Sequence, residues 1–189
     1  MKIDPFQAGS CRQPLQDEHD RIISYLRLSV TDRCNLRCRY CLSDGQHPDS
    51  FNKLPHHDLF TYEELLRVVR IAAGMGMTKL RITGGEPLVR RNILSFIRRA
   101  AATPGLQDIR LTTNGVLLAG YAGELRAAGV STLNISLDTL RPGRFARISG
   151  RDRYHDVRRG IDRALELGFA AVKLNVVVMK GVNDAEVPA

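Results

Sequence analysis

With 189 residues the chain is long enough for one domain with a sizeable core. Hydrophobic residues at 43% and charged residues at 25% fit a soluble globular protein; no apolar run is long enough to cross a bilayer and the residues after Met1 show no apolar signal core, so no membrane partner is expected and a reducing cytoplasm is the default compartment. A net charge of +8 keeps anionic partners open, nucleic acid or small molecules, and the placement of the cations decides between them.

Residues 1–20 are polar without periodicity and read as a flexible N-terminal extension, with Cys11 a lone surface thiol. Residues 21–189 read as the folded core. Residues 25–31 alternate as a first strand, followed by a cysteine-bearing loop and a polar loop through Gly45 and Pro55. Thr61-Tyr-Glu-Glu64 is a capping box that opens a helix with Leu65, Val68, Val69 and Ala72 on one face, ended by Gly74 and Gly76. Residues 79–83 form strand two, and Gly84-Gly85-Glu86-Pro87 follows it. A helix over 91–102 stops at Pro104-Gly105, and strand three, 108–113, closes on Asn114-Gly115. A helix over 118–128 leads to strand four, 132–137. A loop and a helix over 154–167 lead to strand five, 171–179.

Strand and helix alternate, which gives an α/β fold with a parallel sheet. No GxGxxG is present, so a dinucleotide-binding sheet is not supported, and a partial β/α barrel of the TIM type fits better. In such barrels the chemistry sits at the C-terminal strand ends. The cysteines, the Gly-Gly-Glu-Pro and the Asn-Gly all fall there. Gly84 and Gly85, lacking Cβ atoms, are expected to let the backbone approach a ligand.

Cys34, Cys38 and Cys41 have the spacing C-x3-C-x2-C. Zinc would require a fourth ligand, with Cys11 or His47 as candidates. A four-iron cluster held by three cysteines keeps one iron free to bind a small molecule.

Side chains alternate faces along a strand. One face carries Leu26, Leu28, Leu80, Ile82, Ile109, Leu111, Ile135, Val172 and Leu174, which predicts packing under helices. The other carries Arg27, Lys79, Arg81, Arg110 and Lys173, with Asp138 the one opposing acid. Unpartnered buried cations are costly, so an anion is expected inside, and a polyphosphate suits Arg and Lys.

Cys34-x3-Cys38-x2-Cys41 with Tyr40, together with Gly84-Gly85-Glu86-Pro87, resembles the radical S-adenosylmethionine superfamily. Arg81-Ile-Thr-Gly-Gly-Glu-Pro, Thr112-Thr-Asn-Gly115, Asn134-Ile-Ser-Leu-Asp-Thr139, Lys173-Leu-Asn-Val and Gly181-Val-Asn-Asp184 resemble its members that cyclise GTP in molybdenum cofactor biosynthesis. The resemblance implies a [4Fe–4S] cluster on Cys34, Cys38 and Cys41, with S-adenosylmethionine on the free iron. It implies S-adenosylmethionine contacts at Tyr40, Gly84, Gly85, Glu86 and Ser136, and GTP contacts at Arg27, Arg81, Thr112 and Lys173. An external one-electron reductant is implied too, and a 5'-deoxyadenosyl radical that takes hydrogen from C3' of GTP before C8 is attacked. Such members continue further and carry a second cysteine triplet. The 189 residues are therefore expected to lack the last barrel strands and the second cluster, and to be unable to complete the reaction alone.

Three alternatives stay open: a radical enzyme acting on another substrate such as a peptide, a zinc module that binds nucleic acid, and an inactive remnant. The lumenal cations argue against a neutral peptide, and metal analysis separates the zinc module from the enzyme. A homodimer is a further option, since the valine-rich strand five would be an edge.

Overall fold

The computed structural model describes residues 15–41, 54–55 and 58–186. Cys11, Gly45 and His47 lie outside the described residues. Five strands, β1 (Tyr25–Ser29), β2 (Lys79–Thr83), β3 (Asp108–Thr113), β4 (Val130–Ser136) and β5 (Ala171–Asn175), form one sheet in sequence order. Every pairing is parallel. Between the strands run α1 (Tyr62–Gly74), α2 (Ile93–Ala101), α3 (Leu118–Ala127), α4 (Pro142–Ser149) and α5 (Tyr154–Glu166). The sheet is open from β1 to β5, a partial barrel of the expected kind.

The apolar parity holds through most of the sheet. Leu80, Ile82, Leu111, Leu133 and Ile135 are fully buried, packed with Leu66 of α1, Phe96 and Ile97 of α2, Leu125 of α3 and Val157 of α5. At β5, the edge of the sheet, the pattern fails: Leu174 is 48% exposed, as is Val176 just past the strand at 46%. The capping box is realised in full, with Glu64 N donating to Thr61 Oγ1 at 3.2 Å and Thr61 N donating to Glu64 Oε2 at 2.7 Å. Residues 16–22 double back through an antiparallel bridge between Gln16 and Ile22.

Two expectations need correction. The stretch after β4 is not all loop: α4 forms there, opened by Pro142 and burying Phe145 and Ile148. Strand five ends at Asn175, not at Met179. Beyond it, Val177 N donates to Asp138 Oδ1 and Met179 N donates to Asn183 Oδ1, so side chains take the backbone groups that a strand would have used.

Helix α5 fixes the turn that closes β3. A Cβ on Gly160 would stand 2.7 Å from the Gly115 carbonyl oxygen and 3.0 Å from Leu118 Cβ, so helix and turn meet with no side chain between them. Gly160→Ala is expected to lower stability by about 1–3 kcal/mol in urea unfolding, because backbone on both sides leaves the methyl nowhere to go.

Candidate functional site

A cavity of about 190 Å³ opens at the C-terminal ends of β1 to β4. Cys34, Cys38 and Cys41 line it from the loop that leaves β1. Two backbone contacts seat that loop. At one end, Gly85 N donates to Thr31 O at 2.7 Å and Glu86 N donates to Arg33 O at 2.7 Å. A Cβ on Gly85 would lie 2.4 Å from the Arg33 oxygen, and one on Gly84 2.6 Å from the Thr31 oxygen. The close approach expected of these glycines is therefore made to the cysteine loop itself. At the other end, Arg37 N donates to Ser149 O at 2.8 Å, and a Cβ on Gly150 would lie 2.8 Å from Arg37 O.

Glu86, expected among the cofactor contacts, has its carboxylate elsewhere. It is fully buried, and Thr113 Oγ1 and Leu88 N donate to its Oε1 at 2.9 and 3.0 Å. Asn114 N donates to its Oε2 at 2.6 Å. Burial pushes its carboxyl up, against these three bonds that pull it down. Glu86 thus ties the β2 exit to the β3 exit. Asn114, held by it, donates through Nδ2 to Asn35 Oδ1 at 2.7 Å and to Cys34 Sγ at 3.5 Å.

The thiols line the cavity wall, with Cys38 half-buried and Cys34 and Cys41 exposed. Burial raises Cys34 and Cys41 above the ordinary thiol range and pushes Cys38 up to about 12. Metal ligation requires thiolates, so loading a metal group here releases protons. Among the described residues no three His, Cys, Asp or Glu side chains converge closely enough to hold a single ion. Three thiols on one loop that share one cavity are a soft donor set of the kind that holds an iron–sulfur cluster.

Of the expected contacts, Arg27, Tyr40, Gly84, Gly85, Thr112 and Ser136 also line this cavity. Arg81 and Lys173 do not. Arg81 pairs in register with Arg27 and with Arg110, and Lys173 pairs with Asn134, the neighbour of Thr112. They lie on the same polar face, beside the cavity. The account of the charges needs one correction. Asp108 shares that face and binds Arg110, at 2.7 Å through Nε and 2.5 Å through the second contact. The Asp108 carboxylate balances the Arg110 charge, and that hydrogen bond pushes the guanidinium pKa further up, so Arg110 stays protonated. Arg81 stacks 5.5 Å from the Tyr25 ring centroid, but its buried Nε has no hydrogen-bond partner. Thr112 Oγ1 and Asn134 Oδ1 are likewise buried without one. Orphaned buried polar atoms on one face mark a place where a ligand's groups fit.

Two wall residues, Asn114 and Asp138, have site roles that sequence reasoning missed. Asp138 Oδ2 accepts from Tyr40 OH at 2.8 Å. Asp138 stood out in sequence as a single acid after strand four, but its partner lies on a distant loop.

A β/α sheet that carries three cysteines on the loop after its first strand defines a class. The sequence profile of the Radical SAM superfamily matches residues 28–189, and the chain belongs to that superfamily, an enzyme group whose cofactors are a [4Fe–4S] cluster and S-adenosylmethionine. The chain is 49% identical over 173 residues to "GTP 3',8-cyclase" of Thermodesulfovibrio yellowstonii, covering 92% of this chain and 53% of that protein. It is 51% identical over 173 residues to the protein of the same name in Geobacter sulfurreducens, covering 92% and 52%. The chain thus spans about half the length of the curated relatives it matches. Among solved structures, Streptococcus suis SuiB superposes with a TM-score of 0.67 at 21% identity, over 86% of this chain and 35% of that one, a likeness of fold. Among the described residues no helix is long and apolar enough to cross a membrane.

Glu86→Gln tests the clasp. An amide NH2 would face a backbone or hydroxyl donor, leaving a donor opposed to a donor. Urea unfolding is expected to show a loss of about 1–3 kcal/mol.

Proposed function

We propose that the chain works in a GTP 3',8-cyclase of the radical SAM kind, in a reducing cytoplasm, with GTP as substrate and an external one-electron donor. The observation that carries this reading is a row of guanidiniums. Arg27, Arg81 and Arg110 stand in register on adjacent strands, and only Arg110 has a carboxylate bonded to it among the described residues. Asp108 balances Arg110, which leaves Arg27 and Arg81 side by side on strands about 4.8 Å apart, and these two like charges repel unless an anion lies over them. A triphosphate is such an anion, and the name shared by relatives at about half identity agrees with it.

In this reading Cys34, Cys38 and Cys41 hold the cluster, and Tyr40, Gly84, Gly85 and Ser136 form the S-adenosylmethionine end of the cavity. When bound, these cofactors supply the electron and the 5'-deoxyadenosyl radical that takes hydrogen from the substrate. The chain supplies placement. Arg27, Arg81, Thr112 and Lys173 grip the nucleotide away from the reacting carbon and bring that carbon to the cofactor end. Thr112, which lines the cavity and pairs with Asn134, the register partner of Lys173, borders both parts.

Two measurements test this reading. Replacing Cys34, Cys38 or Cys41 by Ser is expected to abolish the brown iron–sulfur absorbance after anaerobic reconstitution, while Cys11→Ser keeps it; a colourless zinc protein would remove the enzyme reading. Arg81→Ala and Lys173→Ala are each expected to weaken GTP binding by about 1.5–3 kcal/mol, the worth of a charge-assisted hydrogen bond, with S-adenosylmethionine binding unchanged. GTP affinity equal to that of the parent would remove GTP as the ligand of this face.

A further inference from the structure

Asp138 holds three parts of the site in one place. Its Oδ2 accepts from the Tyr40 hydroxyl at 2.8 Å, and Tyr40 lies between Cys38 and Cys41 on the cysteine loop. Its Oδ1 accepts from Val177 N at 2.9 Å, in the segment after β5. Its backbone carbonyl accepts from Asn183 Nδ2 at 2.7 Å, and the same Nδ2 donates to Val177 O at 2.9 Å. Asn183 is 1% and Asp138 8% exposed. Three residues on, Glu186 fastens the segment again, accepting from Thr139 Oγ1 at 2.7 and 2.8 Å and from Leu140 N at 3.0 Å.

No Arg or Lys is bonded to Asp138 among the described contacts. A carboxylate buried in a cavity wall without a cation is costly, and phenol and amide donors are what offset it. Each oxygen serves a different element, one the cysteine loop and the other the 176–186 segment. Neither element can swing away without leaving a buried charge short of a donor.

We propose that Asp138 is a positioning residue: it fixes the Tyr40 ring at the mouth of the cavity and makes closure of the 176–186 segment depend on that ring. S-adenosylmethionine, which occupies the Tyr40 end, therefore tightens the segment, and the segment in turn strengthens its binding. Such coupling is reciprocal. The inference rests on the superfamily's cofactor and not on the identity of the second substrate, so it stands or falls apart from the GTP reading.

The test uses the reconstituted chain and two readouts. The first is a double-mutant cycle on S-adenosylmethionine affinity by equilibrium dialysis, with iron per chain measured alongside. Tyr40→Phe and Asp138→Ala are each expected to weaken binding about tenfold at unchanged iron, and the double variant to lose no more than the weaker single, because both remove one linked contact. Additive losses, or unchanged affinity in either variant at full iron, overturn the proposal. The second readout is trypsin cleavage at Lys180, within the segment. S-adenosylmethionine is expected to slow cleavage of the parent several-fold. In Tyr40→Phe, where Asp138 has lost its phenol donor, the unliganded rate is expected to rise and the protection to disappear. Protection that persists in Tyr40→Phe overturns the coupling. If Asp138→Ala does not take up the cluster, Asp138→Asn replaces it in the cycle under the same criteria.

Discussion

The site depends on a place where two stretches of main chain touch. The carbonyls of Thr31 and Arg33 rest on Gly84 and Gly85 so closely that a single methyl group would collide with them. Through this contact the loop bearing the three cysteines is held by β2 as well as by its own strand. The hydrogen bonds from Gly85 N and Glu86 N complete it. A side chain at either glycine would lift the thiols away from the wall formed by β3 and β4. Glu86, directly after the contact, extends the hold to Asn114 and so to Cys34. A buried carboxylate with three donors is a rigid joint, and one without them would be untenable.

Above this joint the sheet divides its labour by face. Helices cover the apolar face, and its residues are among the most deeply buried in the chain. The opposite face carries charge and hydroxyls, with parallel pairing setting them in rows across the strands. Rows nearer the strand ends meet the cysteine loop, and the row below carries the guanidiniums. Asp108 settles one of these cations locally, through Arg110 two residues on along the same face. Arg81 is left with a ring below it and an unused donor.

Much of this was legible in the sequence. The strand parity, the capping box and the position of the three cysteines follow from local pattern, and local pattern survives folding. Asp108 was equally legible, since it shares the parity of Arg110, yet the sequence reading set only Asp138 against the cations. The helix at Pro142–Ser149 was harder to see, because Pro142-Gly143 reads as a turn and only Phe145 and Ile148 signal a buried face. The clasp made by Glu86 and the double hold of Asp138 could not be read at all. Each joins residues whose closeness is a product of the sheet order, with no mark in the surrounding sequence. The same holds for β5, whose valines promise a longer strand than Asp138 and Asn183 allow.

The seating of the cysteine loop also sets an order of events in making the protein. Cys34, Cys38 and Cys41 leave the ribosome early, but the surfaces on which their loop rests arrive later. Gly84 and Gly85 come with the second strand, and Ser149 and Gly150 only after the fourth. Until that point the thiols belong to a wandering segment with no fixed spacing. The seat of the loop is thus complete only once Ser149 and Gly150 have been made.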